Sequence, residues 1–270
     1  MAPTDNSDGA AKAEAILKAL EPWLNKHRRT AWLPQVKNGH GPAHGSRFGG
    51  LPWLPSGESH PACGNCKQPL RLLLQLNLLS LPDEVRQRLG PGLLQAFYCE
   101  REDCEQECDG WSPFSEAHRI RIIDVGHGNM AAPAGKPFPP KEISGWRRAE
   151  DLPSPAEHEE LGLDFDYDFE ANTVRIRCPE IGLDAPPIGI HDLEAETVSN
   201  ASMGDKLLGW PHWIQGVEYP ECPQCQTRME YVFQIDSEHN LPLMWGDMGT
   251  AHITRCPKHP EVLALGWACS

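Results

Sequence analysis

The residues of this chain best suited to chemistry are its cysteines, ten in 270 residues. Seven of them, with one histidine, fall into two similar sets. The first reads Cys63-x2-Cys66, then 32 residues, then Cys99-x4-Cys104. The second reads Cys222-x2-Cys225, then 30 residues, then Cys256-x2-His259. A Cys-x-x-Cys turn supplies two thiolates from one tight loop, and a second pair completes the tetrahedron that structural zinc requires. The spacings are those of zinc ribbons, so two structural zinc ions are expected. Thiolate is too soft a donor to favour Mg²⁺ or Ca²⁺. Cys108 competes with Cys104 for the first site, and Cys269 or His252 competes with His259 for the second. Cys178 reads as a small buried residue. Four protein ligands leave no coordination position for substrate or water, so closed sites hold loops together rather than catalyse.

Other chemistries fit less well. A thioredoxin-like pair needs a helix directly after the motif, whereas each pair here runs into a strand-like stretch. An iron–sulfur cluster suits four cysteines better than three with a histidine. Asp164-Phe-Asp-Tyr-Asp168 opens like a calcium loop, but Phe169 and Arg175 stand where Gly and Glu are needed. Gly126-x-Gly128-x-x-Ala131 is followed by Pro133, Pro137, Pro139 and Pro140 instead of the helix a dinucleotide site demands. Neither His-Glu-x-x-His nor Gly-x-Ser-x-Gly occurs. His40 and His44 read as loop residues. With no catalytic constellation in view, a non-enzymatic protein is expected.

The elements that must position the ligands follow from periodicity. Leu70, Leu72, Leu74, Leu76 and Leu78 alternate with Arg71, Leu73, Gln75 and Asn77, which predicts a strand with one leucine face. Gly92–Cys99, Arg119–Val125 and Thr173–Arg177 read as further strands, and Asp164–Asp168 as a strand with an acidic face. Ala10–Leu20 predicts a helix ending before Pro22, and Pro82–Leu89 one or two helical turns. Thr30–Pro61 suggests irregular turns around short extended pieces, and Gly126–Pro140 a loop. Residues 50–77 laid over 209–236 without a gap match at Gly50, Pro52, Gly57, Pro61, Cys63, Cys66 and Gln75. A second block pairs Gly92 with Gly249 and Cys99 with Cys256. The expected fold is therefore a β-rich α+β chain: two related zinc-ribbon-like β units from an internal duplication, plus a short N-terminal helix. Its expected divisions are a tail and helix over 1–29, a first unit over 30–125, a Pro/Gly and acidic connection over 126–200, and a second unit over 201–270.

Composition narrows the partners. The formal charge of -14 disfavours nucleic acid and anionic lipid, and suits a basic protein partner. Nine carboxylates and no Lys or Arg lie between Glu150 and Glu170. Leu70–Leu81, broken by Arg71, Gln75 and Asn77, is too short to span a bilayer. The opening residues MAPTDNSDGAAKAEAILKAL lack a basic stretch followed by an apolar run, so a reducing, cytoplasmic setting is expected. Trp53, Trp210, Trp213, Trp245 and Trp267 lie in or beside the repeated units and read as core; an exposed tryptophan cluster would indicate a binding groove instead.

Phe48-Gly-Gly-Leu-Pro-Trp-Leu-Pro, Pro61-x-Cys63-x-x-Cys66, Leu72-Leu-Leu-Gln-Leu-Asn77 and Gly92-Leu-Leu-Gln-Ala-Phe-Tyr-Cys99 resemble the bacterial YwqG-like family. So do Gln234-Ile-Asp-Ser, Trp245-Gly-Asp-Met-Gly249, His252-Ile-Thr-Arg-Cys256-Pro-Lys-His259 and Trp267-Ala-Cys-Ser. A more distant similarity runs to the eukaryotic programmed cell death protein 2 group. The resemblance covers about residues 45–270 and implies a β-rich fold of two related halves, with no catalytic residues to carry over. It implies a chaperone-like role, as in the eukaryotic group, or an immunity role near toxin genes. Three functions follow as expectations: a zinc-stiffened protein-binding or chaperone-like protein for a basic partner, an immunity protein that masks a toxin, or a zinc-dependent hydrolase.

Overall fold

A computed structural model describes residues 6–100, 104, 110–132, 134–192 and 201–270. The chain divides into two compact units. The smaller comprises Met1–Ala31, Glu150–Ser202 and Gly209–His212; the larger comprises Trp32–Ala149, Met203–Leu208 and Trp213–Ser270. In chain order the elements are α1 (Asn6–His27), β1 (Arg29–Asn38), β2 (Arg47–Phe48), β3 (Trp53–Pro55), β4 (Arg71–Asn77), α2 (Asp83–Leu89), β5 (Leu93–Tyr98), β6 (His118–Ile123), β7 (Gly128–Met130) and β8 (Lys141–Asp151). They continue with α3 (Pro155–His158), β9 (Asp164–Asp168), β10 (Thr173–Cys178), β11 (Leu183–Asp184), β12 (Ile188–Gly189), β13 (Lys206–Leu208), β14 (Glu230–Asp236), β15 (Thr250–Arg255) and β16 (Leu263–Ala268).

The larger unit is built on one ten-stranded sheet, in the order β16-β15-β14-β13-β1-β8-β2-β4-β5-β6. The two cysteine-bearing regions are thus parts of one sheet. The sheet is nearly closed: the backbone N–H groups of Leu265 and Trp267 on β16 donate to the carbonyls of Pro113 and Trp111, just ahead of β6. Leu73, Leu74, Leu76, Leu94, Phe233, Ile235, Trp245 and Ile253 meet in its core.

The β4–β5–β6 and β14–β15–β16 meanders agree residue by residue. Arg71 pairs with Tyr98 as Glu230 pairs with Arg255, and a register shift falls between Leu72 and Leu74 as it does between Tyr231 and Phe233. Ahead of each lies an isolated bridge, Ala62 to Pro69 and Glu221 to Arg228. The shift corrects the expected single leucine face. An extra residue turns the strand over, so Leu70 and Leu72 join the small cluster around Cys63 and Cys99, while Leu73, Leu74 and Leu76 enter the main core. Gln75 is fully buried, and its Oε1 accepts from Trp53 N (3.0 Å) and Gln95 Nε2 (3.0 Å).

The 126–140 stretch is not all loop. Gly128–Met130 forms β7, antiparallel to β3, with Trp53 opposite Met130. Similarly, Thr30–Pro61 opens within the ten-residue β1, where Arg29–Asn38 has enough β-forming Thr, Trp and Val to override Pro34.

In the smaller unit, α1 buries Ala13, Ile16, Leu20, Trp23 and Leu24, a helical stripe packed with Leu163, Val174, Ile176 and Cys178. The helix runs through Pro22 to His27 instead of ending before it. Burial of Trp23, whose indole N–H donates to the Leu161 carbonyl at 3.1 Å, offsets the hydrogen bond that proline cannot make. The acidic strand β9 pairs with β10 as the alternation predicts, and Arg177 answers Asp164.

Candidate metal centres

Each Cys-x-x-Cys pair sits in a turn whose shape is set by backbone bonds. Cys63 N–H donates to the Gln68 carbonyl and Lys67 N–H to the Cys63 carbonyl. Cys222 and Thr227, and Gln226 and Cys222, repeat both bonds. Closing these loops requires a left-handed residue, supplied by Lys67 (φ 59) and Gln226 (φ 56). From the turn the chain enters β4 or β14, and the partner strand, β5 or β15, delivers the third cysteine just past its end. Cys99 is held there by its N–H bond to the Ala117 carbonyl (2.8 Å).

The structure brings both expected sets together. One ligand atom from each of Cys63, Cys66, Cys99 and Cys104 lies within 4.8 Å of the others, and the same holds for Cys222, Cys225, Cys256 and His259. The sulfurs of Cys66 and Cys99 are 3.6 Å apart, and those of Cys225 and Cys256 3.7 Å. A disulfide would bring such sulfurs to about 2.05 Å. Four thiolates about 2.3 Å from a central ion stand about 3.8 Å apart along each tetrahedral edge, so the spacing is that of ligands around a shared ion. His259 presents Nδ1, 3.7 Å from Cys222 Sγ and 3.8 Å from Cys256 Sγ.

Two features of the second site had no signal in the ligand spacing. The backbone N–H groups of Lys258 and His259 point at Cys256 Sγ from 3.4 and 3.3 Å. Hydrogen bonds from the Thr227 side chain and backbone lower the Cys225 thiol to about 6. Bonds to the Cys222 and Cys225 sulfurs in turn raise the His259 imidazole. Donors aimed at sulfur stabilise thiolate, the form a metal binds; at Cys256 burial outweighs them and raises the thiol.

The competing ligands are separated by position. His252 lies inside β15, its ring 4.5 Å from that of Trp213. Cys269 follows β16, its carbonyl accepting from Gln215 Nε2. Cys178 is fully buried in the core of the smaller unit. Neither His252 nor Cys269 enters the second cluster. Cys108 lies outside the described residues. Cys104 lies within the first cluster. Cys63, Cys66 and Cys99 at the first site and Cys222, Cys225 and Cys256 at the second are free thiols.

Residues 46–255 match the family described as a domain of unknown function (DUF1963), and the chain belongs to that family. The match takes in the first cluster and the second Cys-x-x-Cys pair and ends one residue before Cys256. A comparison with curated proteins finds no match. Among the described residues, no helix is long and apolar enough to cross a membrane.

Proposed function

We propose that this DUF1963 member is a non-enzymatic protein-binding or chaperone-like protein, stiffened by two structural zinc ions and directed at a basic partner. The observation that carries this reading is the completeness of the two donor sets. Each group offers four protein ligands at tetrahedral spacing, which suits an ion that fastens loops to a sheet. A zinc-dependent hydrolase would need an open position in one of them. Three thiolates or more at each site favour zinc over harder cations.

The choice of a basic partner rests on charge. A net of -14 steers cations toward the surface and repels nucleic acid. We also read the two hairpins as copies of one ancestral unit; the shared registers, bulges and left-handed residues support this. The YwqG-like resemblance is compatible with membership of a family of unknown function, and a cytoplasmic setting agrees with a reduced first site. A partner that proved to be a single toxin would move the reading to the immunity role.

The test is a pull-down with the zinc-loaded chain at moderate ionic strength, followed by reconstitution with the purified partner. Recovery of a basic protein whose affinity falls as salt rises is the expected result. Recovery of no protein, or only of acidic ones, would overturn the reading.

A further inference from the structure

The two meanders differ at one matched pair of positions. Arg121 on β6 lies opposite Gln95, and Gly266 on β16 lies opposite His252. Gln95 and His252 occupy the same register position on β5 and β15, facing Gln75 and Gln234. Arg121 fills its own place with a guanidinium. Its Nε and Nη2 donate to Gln95 Oε1 at 3.1 and 2.9 Å, and Nη1 pairs with Glu58. The guanidinium carbon is 5.7 Å from the centre of the Phe97 ring.

Gly266 has no side chain to put there, and beside it is a cavity of about 540 Å³. That size is ordinary for a small-molecule site. Trp111, Trp213, Tyr219, His252 and Glu218 line it together with Gly266, and among the described residues no Lys or Arg does, although the Arg228 guanidinium stacks on the Tyr219 ring from 4.1 Å. Trp111 is 58% exposed, so its indole is accessible to a ligand. Glu218 lies one residue beyond Val217, the position matching Glu58. Among the described residues no ion pair engages it, and partial burial raises its carboxyl above the usual carboxylate range.

We infer that this cavity is a binding site for a guanidinium group, the cation that the chain supplies from Arg121 at the matched place on the other meander. Indole faces attract a flat cation by both charge and stacking, and guanidinium is less strongly hydrated than ammonium, so it gives up water more readily. Glu218 supplies the carboxylate that Glu58 supplies to Arg121. A free guanidino compound and an arginine side chain of a protein carry the same group, and the inference does not depend on the partner reading above.

The experiment uses the zinc-loaded full chain and follows tryptophan fluorescence and calorimetry. The probes are free L-arginine, Nα-acetyl-arginine amide, a short arginine-containing peptide and Nα-acetyl-lysine amide. Saturable binding of one guanidinium per chain is expected, with the arginine amide about tenfold tighter than the lysine amide. Tighter binding of free arginine than of the peptide assigns a small-molecule ligand; the reverse order assigns an arginine of a protein. Gly266→Arg restores the internal cation and should abolish binding. A Cβ there meets Pro113 Cγ and the Trp111 carbonyl at 3.4 Å, ordinary contact, so the fold should persist. Should that variant fail to fold, Glu218→Gln provides the second reading, with binding weakened about tenfold. Absence of saturable guanidinium binding up to about 10 mM, equal affinity for arginine and lysine amides, or binding indifferent to both substitutions would overturn the inference.

Discussion

Replacing Cys222 by Ser removes one donor from the second metal site, and the structure says what remains to hold that corner. The cluster there consists of Cys222, Met229, Cys256 and Ala264, with Cys225 and Val262 half-buried against it. Met229 is its one large fully buried side chain, worth about 2–3 kcal/mol of burial. A structural zinc contributes about 10–16 kcal/mol, several times more. If four donors share that evenly, losing one costs about 3–4 kcal/mol. For a chain of this size each kcal/mol moves the melting temperature by about 2–4 °C, giving a fall of roughly 6–16 °C. Elemental analysis should find about two zinc ions per chain in the wild type, and chelator-dye competition should show one of them held about 10²–10³-fold more weakly in the variant. Thermal unfolding, followed in parallel, gives the temperature. A wild type without zinc, or a variant that keeps both the metal and the melting temperature, would refute the structural-site argument.

Three further outcomes are expected. Cys63 stands in the first set as Cys222 does in the second, so Cys63→Ser should weaken the hold on one of the two zinc ions by a similar factor; chelator-dye competition decides, and an unchanged affinity would show that Cys63 holds no metal. Asp205 is buried and accepts from Asp236 N (2.8 Å), Asn240 N (3.2 Å) and Asn240 Nδ2 (2.8 Å). Asp205→Ala strands these donors and should lower urea stability by about 3 kcal/mol, and an unchanged midpoint would show that they find other acceptors. Burial lowers the pKa of His118, against the opposing effect of its bond to the Ser112 carbonyl. The unfolded chain then takes up the proton first, so stability present at pH 7 is lost as the pH falls below about 6.5. The urea midpoint should drop between pH 7 and pH 5, less steeply in His118→Gln, and a slope equal to that of wild type would exclude this histidine as a source.

The donor sets were legible because ligand chemistry constrains spacing tightly. Cys63, Cys66, Cys222 and Cys225 announce their turns, and the strand-period leucines after them place the partner cysteines at the far end of a hairpin. The Cys256-x2-His259 spacing pointed to His259, and the structure removes its rivals by packing the His252 ring against Trp213. The bulge at Leu72–Leu74 was invisible: three leucines in a row satisfy either face, so parity alone could not reveal an inserted residue. The joining of both hairpins into one sheet depends on β1, interrupted by Pro34, on β2 and β13, which are two and three residues long, and on β8, which is long but lacks clean alternation. The cavity beside Gly266 arises from what a side chain lacks, and becomes visible only when β6 and β16 are set against each other.

The bonds from Leu265 and Trp267 to Pro113 and Trp111 have a consequence for the protein's behaviour when metal is scarce. They occupy the outward N–H groups of β16, which would otherwise be a ready template for a strand of another molecule. The same segment runs on to Ala117, whose carbonyl accepts from the Cys99 N–H, so the first metal site anchors one end of it. Stripping that site would therefore free a sticky strand before the core melts, and metal starvation should show itself as self-association at temperatures where the chain is still folded.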